Sequence, residues 1–355
     1  VSIRKLASIQ KILDIQPIKD ADAIECATIN SWKVVVKKGE FNVGNLVVYC
    51  EVDSWIPHTI APFLSKGKTP RVYEGIEGEV LRTVRLRGQI SQGLILPVNE
   101  MSLIKDVVSV QVNENVYYNG IKVEEGADVS SVLGIIKYEP PVSANLAGVV
   151  KGSWPSSIPK TDEERIQNLT NEWSQLSQYT YEVTEKLEGS SMTVGMVDGE
   201  FIVCSRNLNL KETEGNTLWA MARKYDIEAK MRAEGFINIA VQGEVIGEGV
   251  QGNHYGIKGQ DFYVFAIYES QQGQYSPPDV RRKVCELLGL KHVPVVAERR
   301  DLGKDLNLDI DLVLRMSDGK SAINPNVLRE GLVYKRVDGQ EHWKAVSNEY
   351  LLKHG

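Results

Sequence analysis

From Ile3 to about Ile136 the apolar positions fall in short β-branched runs: Trp32-Lys33-Val34-Val35-Val36, Leu46-Val47-Val48-Tyr49, Val80 to Leu86, and Leu94-Ile95-Leu96. Runs of that length, punctuated by turn residues such as Gly39, Gly44 and Asp20-Ala21-Asp22, predict antiparallel strands in a small barrel or sandwich. Pro140-Pro141, Gly152 and Trp154-Pro155-Ser156-Ser157-Ile158-Pro159 then interrupt the pattern, which predicts an interdomain connection over residues 141–160. Thr161-Asp162-Glu163-Glu164 has the form of a capping box, and Ile166, Leu169, Trp173 and Leu176 follow at helical spacing, predicting a helix packed on a second domain. Helical spacing returns in Leu218, Met221, Ala222 and Tyr225 after Asn216, and in Val280, Val284, Leu287 and Leu288 after Asp279. Strand-like runs over residues 181–194, 241–244, 261–268, 330–335 and 343–346 surround these helices, so the second half is expected to be α+β.

Composition excludes several classes. The 355 residues suffice for two domains, since one hydrophobic core rarely grows past ~250 residues. With 42% hydrophobic and 25% charged residues, the chain is not collagen-like, disulfide-stapled or disordered. No run approaches the ~18 apolar residues of a membrane span, and Val1-Ser2-Ile3-Arg4-Lys5 lacks a signal-peptide apolar block, so a monomeric cytoplasmic or nuclear protein is expected. Cys26, Cys50, Cys204 and Cys285 are widely separated, with no Cys-x-x-Cys and no nearby histidine pair, which predicts buried reduced thiols.

The net charge of -6 does not advertise a nucleic-acid binder, but a groove can be locally basic. Lys66, Lys68, Arg71, Arg82, Arg85 and Arg87 face only Glu74, Glu77 and Glu79 within their stretch. Read as a strand, this run turns Val84 and Leu86 to an apolar interior and Thr83, Arg85 and Arg87 outward. Arg85 and Arg87 are therefore candidate contacts to a phosphate backbone, Arg82 joins them as a member of the same basic run, and a plain solvated strand face is the competing reading. The arrangement around Ala21-Asp22-Ala23-Ile24-Glu25, followed by two strands and Val43-Gly44-Asn45-Leu46, resembles OB-like modules that bind RNA.

The second half carries the chemistry. Lys186, in Tyr181-Glu182-Val183-Thr184-Glu185-Lys186-Leu187-Glu188-Gly189, opens the only Lys-x-x-Gly of the chain. Ser205-Arg206-Asn207, Val241-Gln242-Gly243-Glu244, the aromatic run from Asp261 to Tyr268, Glu330-Gly331-Leu332-Val333-Tyr334-Lys335 and Trp343-Lys344-Ala345-Val346 follow in that order. In this order and spacing the residues resemble the covalent nucleotidyltransferase superfamily of ligases and mRNA capping enzymes, over nearly all of residues 161–355. The chain is most similar to the ATP-dependent RNA ligases with an OB module amino-terminal to the catalytic domain. The run Pro159 to Asn168 before the nucleophile and Arg85-Leu86-Arg87-Gly88-Gln89-Ile90-Ser91-Gln92-Gly93 carry that likeness, and only 11 residues follow Lys344, which leaves no room for a later OB domain.

The resemblance implies an OB-like β-barrel over residues 1–140 that binds RNA or an RNA-containing nicked duplex. It implies a nucleotidyltransferase domain of antiparallel sheets with flanking helices over 161–355. It further implies that Lys186 attacks the α-phosphorus of ATP to form lysyl-AMP, that AMP passes to a 5′-phosphate, and that a 3′-hydroxyl displaces it, with Mg²⁺ or Mn²⁺ as cofactor. A lysine near its free pKa of ~10.4 is mostly protonated, so neighbouring cations, burial or a metal ion are expected to lower that of Lys186. By the same resemblance Lys335 and Lys344 hold the α-phosphate, and Arg206 contacts the ribose or the 5′-phosphate. Glu244 and Glu330 hold ribose hydroxyls or water ligands of the metal, Phe265 stacks on adenine, Glu185 reads its amino edge and Leu187 lines the nucleotide pocket. Two positions depart from the pattern: Ala266 stands where relatives commonly have Asp, and Val346 where a second lysine often stands. The competing functions are a capping-type guanylyltransferase using GTP, and a non-catalytic OB-type nucleic-acid-binding protein.

Overall fold

The computed structural model describes residues 4–141, 143–302 and 309–354; Ile3, where the apolar pattern begins, lies outside them. The chain forms two compact units, one of Val1–Pro140 with Gln167–Asn171 and Leu351–Gly355, the other of Pro141–Ile166 with Glu172–Tyr350.

In the first unit the β-branched runs become short antiparallel strands. Leu46–Cys50 pairs with both Ala7–Lys11 and Leu94–Pro97, while Asp14–Pro17, Ile24–Ile29 and Trp32–Lys37 form a meander. Alternation sets the core: Trp32, Val34 and Val36 turn inward and pack with Ile12, Val47, Tyr49 and Ile95. Asn168, from the returning segment, accepts from Trp32 Nε1 at 2.6 Å and donates to Glu51, which also pairs with Arg4 at 2.8 Å.

The basic run of this unit departs from the expected strand. Val84–Leu86 and Gln89–Ser91 form a hairpin turned by Arg87 (φ 48°) and Gly88 (φ 83°). Val84 and Leu86 are each 43% exposed instead of facing an apolar interior. The inward contacts are polar: Thr83 accepts from Gln92 Nε2 at 3.2 Å, and Ser91 from the Val35 N–H at 3.0 Å. Hydroxyl pairs therefore root the hairpin, and the whole of Val84–Leu86 is left outside beside exposed Arg82, Arg85 and Arg87.

The second unit is built on two sheets. An eight-stranded sheet runs in the order Val149–Ser153, Leu208–Lys211, Glu200–Cys204, Ser190–Val197, Ile239–Gly247, Gln260–Glu269, Gln274–Tyr275, with Lys291–His292 also on Gln260–Glu269. A five-stranded sheet runs Glu164–Arg165, His342–Val346, Gly331–Arg336, Thr180–Lys186, Val295–Asp301. The helix Thr217–Lys224 starts where expected, because the Asn216 side chain accepts from the Trp219 N–H at 3.0 Å. With Ile227–Ala233 and Pro278–Leu288 it buries Leu218, Met221, Met231, Val284 and Leu288 on Met192, Val194, Val241, Phe262 and Val264 of the larger sheet.

Three expectations fail in this unit. The capping box starts no helix: Glu164–Arg165 is a strand parallel to His342–Val346, Ile166–Asn168 is a 3-10 turn, and only Trp173–Leu176 is α-helical. The stretch expected to be a connection, 141–160, carries helix Ala144–Ala147 and the sheet-edge strand Val149–Ser153 of this unit. In Pro278–Leu288, Val280 and Leu287 are exposed, against the apolar face their spacing predicts, while Arg281 is 1% exposed. The helix is turned to bury Arg281 because its guanidinium pairs with Glu182, which is fully buried, and donates to His292 Nε2 at 2.8 Å. All four cysteines are buried and free.

Candidate nucleotide and phosphate site

The motif residues are divided between the two sheets of the second unit. In the five-stranded sheet the register sets Lys186 opposite Gly331, Glu182 opposite Lys335 and Val333 opposite Lys344. Side chains alternate along a strand, so Lys186, Lys335 and Lys344 share one face. Val346 is on that face too, buried opposite Gly331, so the lysine missing from the last motif is replaced there by an apolar contact.

Lys186 Nζ lies 2.6 Å from Glu330 Oε1, with the two side chains 26% and 18% exposed. Burial pulls the lysine's pKa down, but Glu330, Glu244 and Glu163 outweigh it and hold the amine above its ordinary value. The lowered pKa expected from sequence is thus reversed, because carboxylates dominate the surroundings of Lys186. Glu244 stands on Ile239–Gly247, opposite Ser191 and Tyr263. Burial pushes its carboxyl up to about 8, against the pull of Lys186 and Arg206 and with the help of Glu330 and Glu163.

Gly189 explains the spacing of Lys-x-x-Gly. A Cβ there would stand 2.3 Å from Val245 O and 2.9 Å from Glu244 Cγ, so only glycine lets the chain leaving Lys186 pass against the strand that bears Glu244.

Phe265 sits at a β-bulge. Gln242 is opposite Ala266 and Gly243 opposite Val264, which leaves Phe265 as the extra residue. Its carbonyl, free of the ladder at this point, accepts from Lys335 Nζ, joining the two sheets, and its ring centroid is 5.2 Å from the same nitrogen. Burial, then Arg281, drives the Lys335 amine well below the ordinary lysine range. Phe265 packs beside Leu187, Ile246, Tyr255 and Val293 in a small apolar cluster that includes Ile323.

Lys344 is 8% exposed and lies 3.3 Å from Asp162 Oδ1. Its amine is lowered to about 8, first by burial and then by Lys186 and Arg165, while Asp162 and Glu163 oppose the shift. Arg206, in the turn between Glu200–Cys204 and Leu208–Lys211, reaches Asp162 Oδ2 at 3.4 Å.

The OB-fold and ligase patterns are both found in known proteins. An OB-fold domain model matches residues 6–98, and an RNA ligase model matches residues 179–353. No curated protein matches the sequence. A Naegleria gruberi RNA ligase variant in its apo form is 42% identical, covers 100% of this chain and 99% of its own, and has a TM-score of 0.87. A variant of the same enzyme with ATP and Mn gives 42% identity, 99% coverage of each chain and 0.87, and the enzyme with PPi gives 43%, 99% of each chain and 0.86. This chain belongs to the RNA ligase family.

Within this RNA ligase the structure brings Lys186, Glu244, Glu330, Lys335, Lys344, Arg206, Phe265 and Leu187 into one region. Glu185 differs, because it lies on the opposite face of its strand from Lys186. Its Oε2 accepts from the Ala322 N–H at 2.8 Å, next to Ile323 of the apolar cluster, and its buried Oε1 makes no hydrogen bond. A carboxylate oxygen left without a hydrogen bond beside an apolar cluster fits the amino edge of an adenine. Among the described residues no group of three potential metal ligands converges. A hard cation that keeps its waters needs only one or two carboxylates, and Glu244, strained toward protonation by burial, fits such a partner.

Sequence reasoning missed several residues of the ligase site. Asp162 and Glu163 read as a helix cap, yet both act electrostatically on Lys344, and Glu163 also on Lys186. Glu188 is held by the Tyr350 hydroxyl, donates its N–H to Tyr255 Oη at 2.7 Å and lies 3.7 Å from His254 Nδ1. The signals for Asp162 are its place in the run Pro159 to Asn168 and the three consecutive acids there, Asp162-Glu163-Glu164.

Proposed function

We propose that the ligase is ATP-dependent and joins a 3′-hydroxyl to a 5′-phosphate at nicks with RNA on the 3′-hydroxyl side. The observation that supports this reading best is the single sheet face carrying Lys186, Lys335 and Lys344, with Glu330 2.6 Å from the nucleophile. The Naegleria gruberi enzyme, alike over the whole chain, is known with ATP and Mn, with AMP and Mn and with PPi.

In this reading Lys186 Nζ forms a bond to the α-phosphorus of ATP as the bond to the pyrophosphate oxygen breaks. The amine proton leaves to solvent or to a neighbouring carboxylate. The adenylyl group then passes from Lys186 to the terminal 5′-phosphate, and the 3′-hydroxyl oxygen displaces AMP to close the phosphodiester. Each step puts charge on the equatorial oxygens at phosphorus, so the work of the protein is placement and neutralisation. Lys335 and Lys344 hold the α-phosphate, and Arg206 takes the ribose or the incoming 5′-phosphate through its planar fork. Phe265 and Leu187 flank adenine, with Glu185 at its amino edge. Glu244 and Glu330 hold ribose hydroxyls or the water ligands of Mg²⁺ or Mn²⁺. A bound divalent cation supplies positive charge to the phosphate oxygens and favours the neutral form of the lysine. Residues 1–140 serve as the RNA-binding domain, with Arg82, Arg85 and Arg87 on the phosphate backbone, and residues 161–355 as the adenylyltransferase domain.

Incubation with magnesium and α-labelled ATP or α-labelled GTP tests the reading. Acid-resistant label from ATP on the wild type and none on Lys186→Ala is expected. Label from GTP alone would indicate a guanylyltransferase, and equal sealing of an all-DNA nick would remove the RNA preference.

A further inference from the structure

Asp162 lies in the run Pro159 to Asn168 that carries the family likeness, where the sequence offers it no role but a place in a capping box, and it starts no helix. Its two carboxylate oxygens are divided between two cations, Oδ1 at 3.3 Å from Lys344 Nζ and Oδ2 at 3.4 Å from Arg206 Nη2. Lys344 rises from the five-stranded sheet, and Arg206 from a turn of the eight-stranded sheet. One carboxylate thus ties together cations carried by separate sheets, both of which the proposed function assigns to phosphate. The strand Glu164–Arg165, which begins two residues later and sets Arg165 opposite Lys344, fixes Asp162 at this place.

We propose that Asp162 is a positioning residue of the ligase, holding Lys344 and Arg206 at a phosphate's separation and occupying the position that a phosphate oxygen takes when substrate enters. The inference rests on the proposed function, which makes these two cations phosphate ligands.

Two like charges on separate sheets repel, and a carboxylate between them removes the repulsion and gives each a directed partner. Donors set in advance cost no reorganisation during the reaction. The same negative charge stands against an arriving anion and weakens its ground-state binding. Asp162 therefore trades affinity for alignment. The other charged groups acting on Lys344 are Lys186, Arg165 and Glu163.

The test compares wild type, Asp162→Asn and Asp162→Ala by calorimetry with inorganic pyrophosphate and by single-turnover transfer of label from α-labelled ATP. Asp162→Asn is expected to bind pyrophosphate about three- to fivefold more tightly, the value of one partly exposed ion pair. Its maximal rate of label transfer should fall about tenfold or more, as a misaligned phosphate clamp implies. Asp162→Ala should be slower still, because Asn keeps an oxygen that accepts from one cation. Unchanged or weaker pyrophosphate binding in Asp162→Asn, or an unchanged transfer rate, would overturn the proposal. If Asp162→Ala does not fold, the isosteric Asn variant decides alone. Should the wild type bind pyrophosphate yet take no label from ATP, the proposed function fails, and the calorimetry still judges whether Asp162 opposes anion binding.

Discussion

Lys186 and Glu330 are joined by an ion pair of 2.6 Å, which holds the lysine as an ammonium in the free ligase. Burial alone would favour the neutral amine, but the carboxylates of Glu330, Glu244 and Glu163 reverse that preference. If Lys186 is the nucleophile of the proposed function, its activation consists of redirecting Glu330, and ribose hydroxyls or a hydrated cation are the groups suited to draw it away.

Glu330→Gln should separate these two functions of the carboxylate. Without ATP or metal, Lys186 in the variant is expected to react faster with an acylating reagent, read by peptide mass spectrometry against the other lysines. Transfer of label from ATP should nevertheless fall about a hundredfold or more, because a contact to the reacting nucleotide is lost. Unchanged reactivity of Lys186 would show that the ion pair does not hold its proton.

Glu244 gives the ligase a defined pH dependence. Its carboxyl titrates at about 8, above the ordinary value of 4.5, so the native state binds this proton more tightly than the unfolded chain does. The resulting stability is complete below the ordinary value and is lost as pH rises through about 8. Melting of chelator-treated protein should therefore fall between these limits, and Glu244→Gln should flatten that fall. Because a cation needs the ionised carboxylate, the Mn²⁺ required for half-maximal labelling should drop up to about tenfold per pH unit as pH approaches 8 from below. A metal requirement independent of pH would exclude Glu244 as a ligand.

What the sequence discloses depends on how local the cause is. The helix after Asn216 is legible because its cap lies three residues from the N–H it serves. Lys186, Lys335 and Lys344 stand out in the sequence because their order and spacing resemble a known family, and the register of the five-stranded sheet sets them on one face. The capping box misleads because the backbone of Glu164–Arg165 is claimed by Trp343 and Lys344, far along the chain. Arg281 and Asp162 take their places for the same reason: their partners, Glu182 for one and Lys344 with Arg206 for the other, lie far along the chain. Val84 and Leu86 fail for another reason, since alternation gives a face its character but does not say which face is covered.

Gly189→Ala should damage chemistry beyond its cost in stability. The added Cβ meets Val245 O at 2.3 Å and Glu244 Cγ at 2.9 Å, and overpacking of this kind costs about 1–3 kcal/mol. Gly195→Ala, whose Cβ would meet Ile239 O at 2.4 Å further along the same strand, is the control. Both variants should melt at lower temperature, but only Gly189→Ala should also lose labelling by ATP at a temperature where it remains folded. Equal loss of labelling in both would make Gly189 merely structural.

Glu182→Gln tests the buried charges behind Lys335. Glu182 is fully buried and pairs with Arg281 and Arg282, and Arg281 is itself 1% exposed. Removing one partner leaves a buried guanidinium uncompensated, which costs about 3–5 kcal/mol. Denaturant titration should show this loss in the midpoint without a change in slope. A cost below about 1 kcal/mol, the range of surface pairs, would mean that water reaches the pair.

The hairpin of the first unit should act on RNA and leave self-adenylylation alone. Arg82, Arg85 and Arg87 are exposed, with exposed Val84 and Leu86 between them, so cations and apolar side chains project together from a short turn. Each arginine that neutralises a phosphate releases counterions, and its removal should reduce the slope of log affinity against log salt by about one. Arg85→Ala with Arg87→Ala should therefore weaken binding of an RNA-containing nicked duplex about equally across sequences, and lower the salt slope by about two. Labelling by ATP should match the wild type, because the substituted groups belong to neither sheet that carries Lys186 and Lys344. A double variant that retains both its nick affinity and its salt slope would place the RNA surface elsewhere on the protein. One that loses labelling in parallel with nick binding would point to a defect in folding.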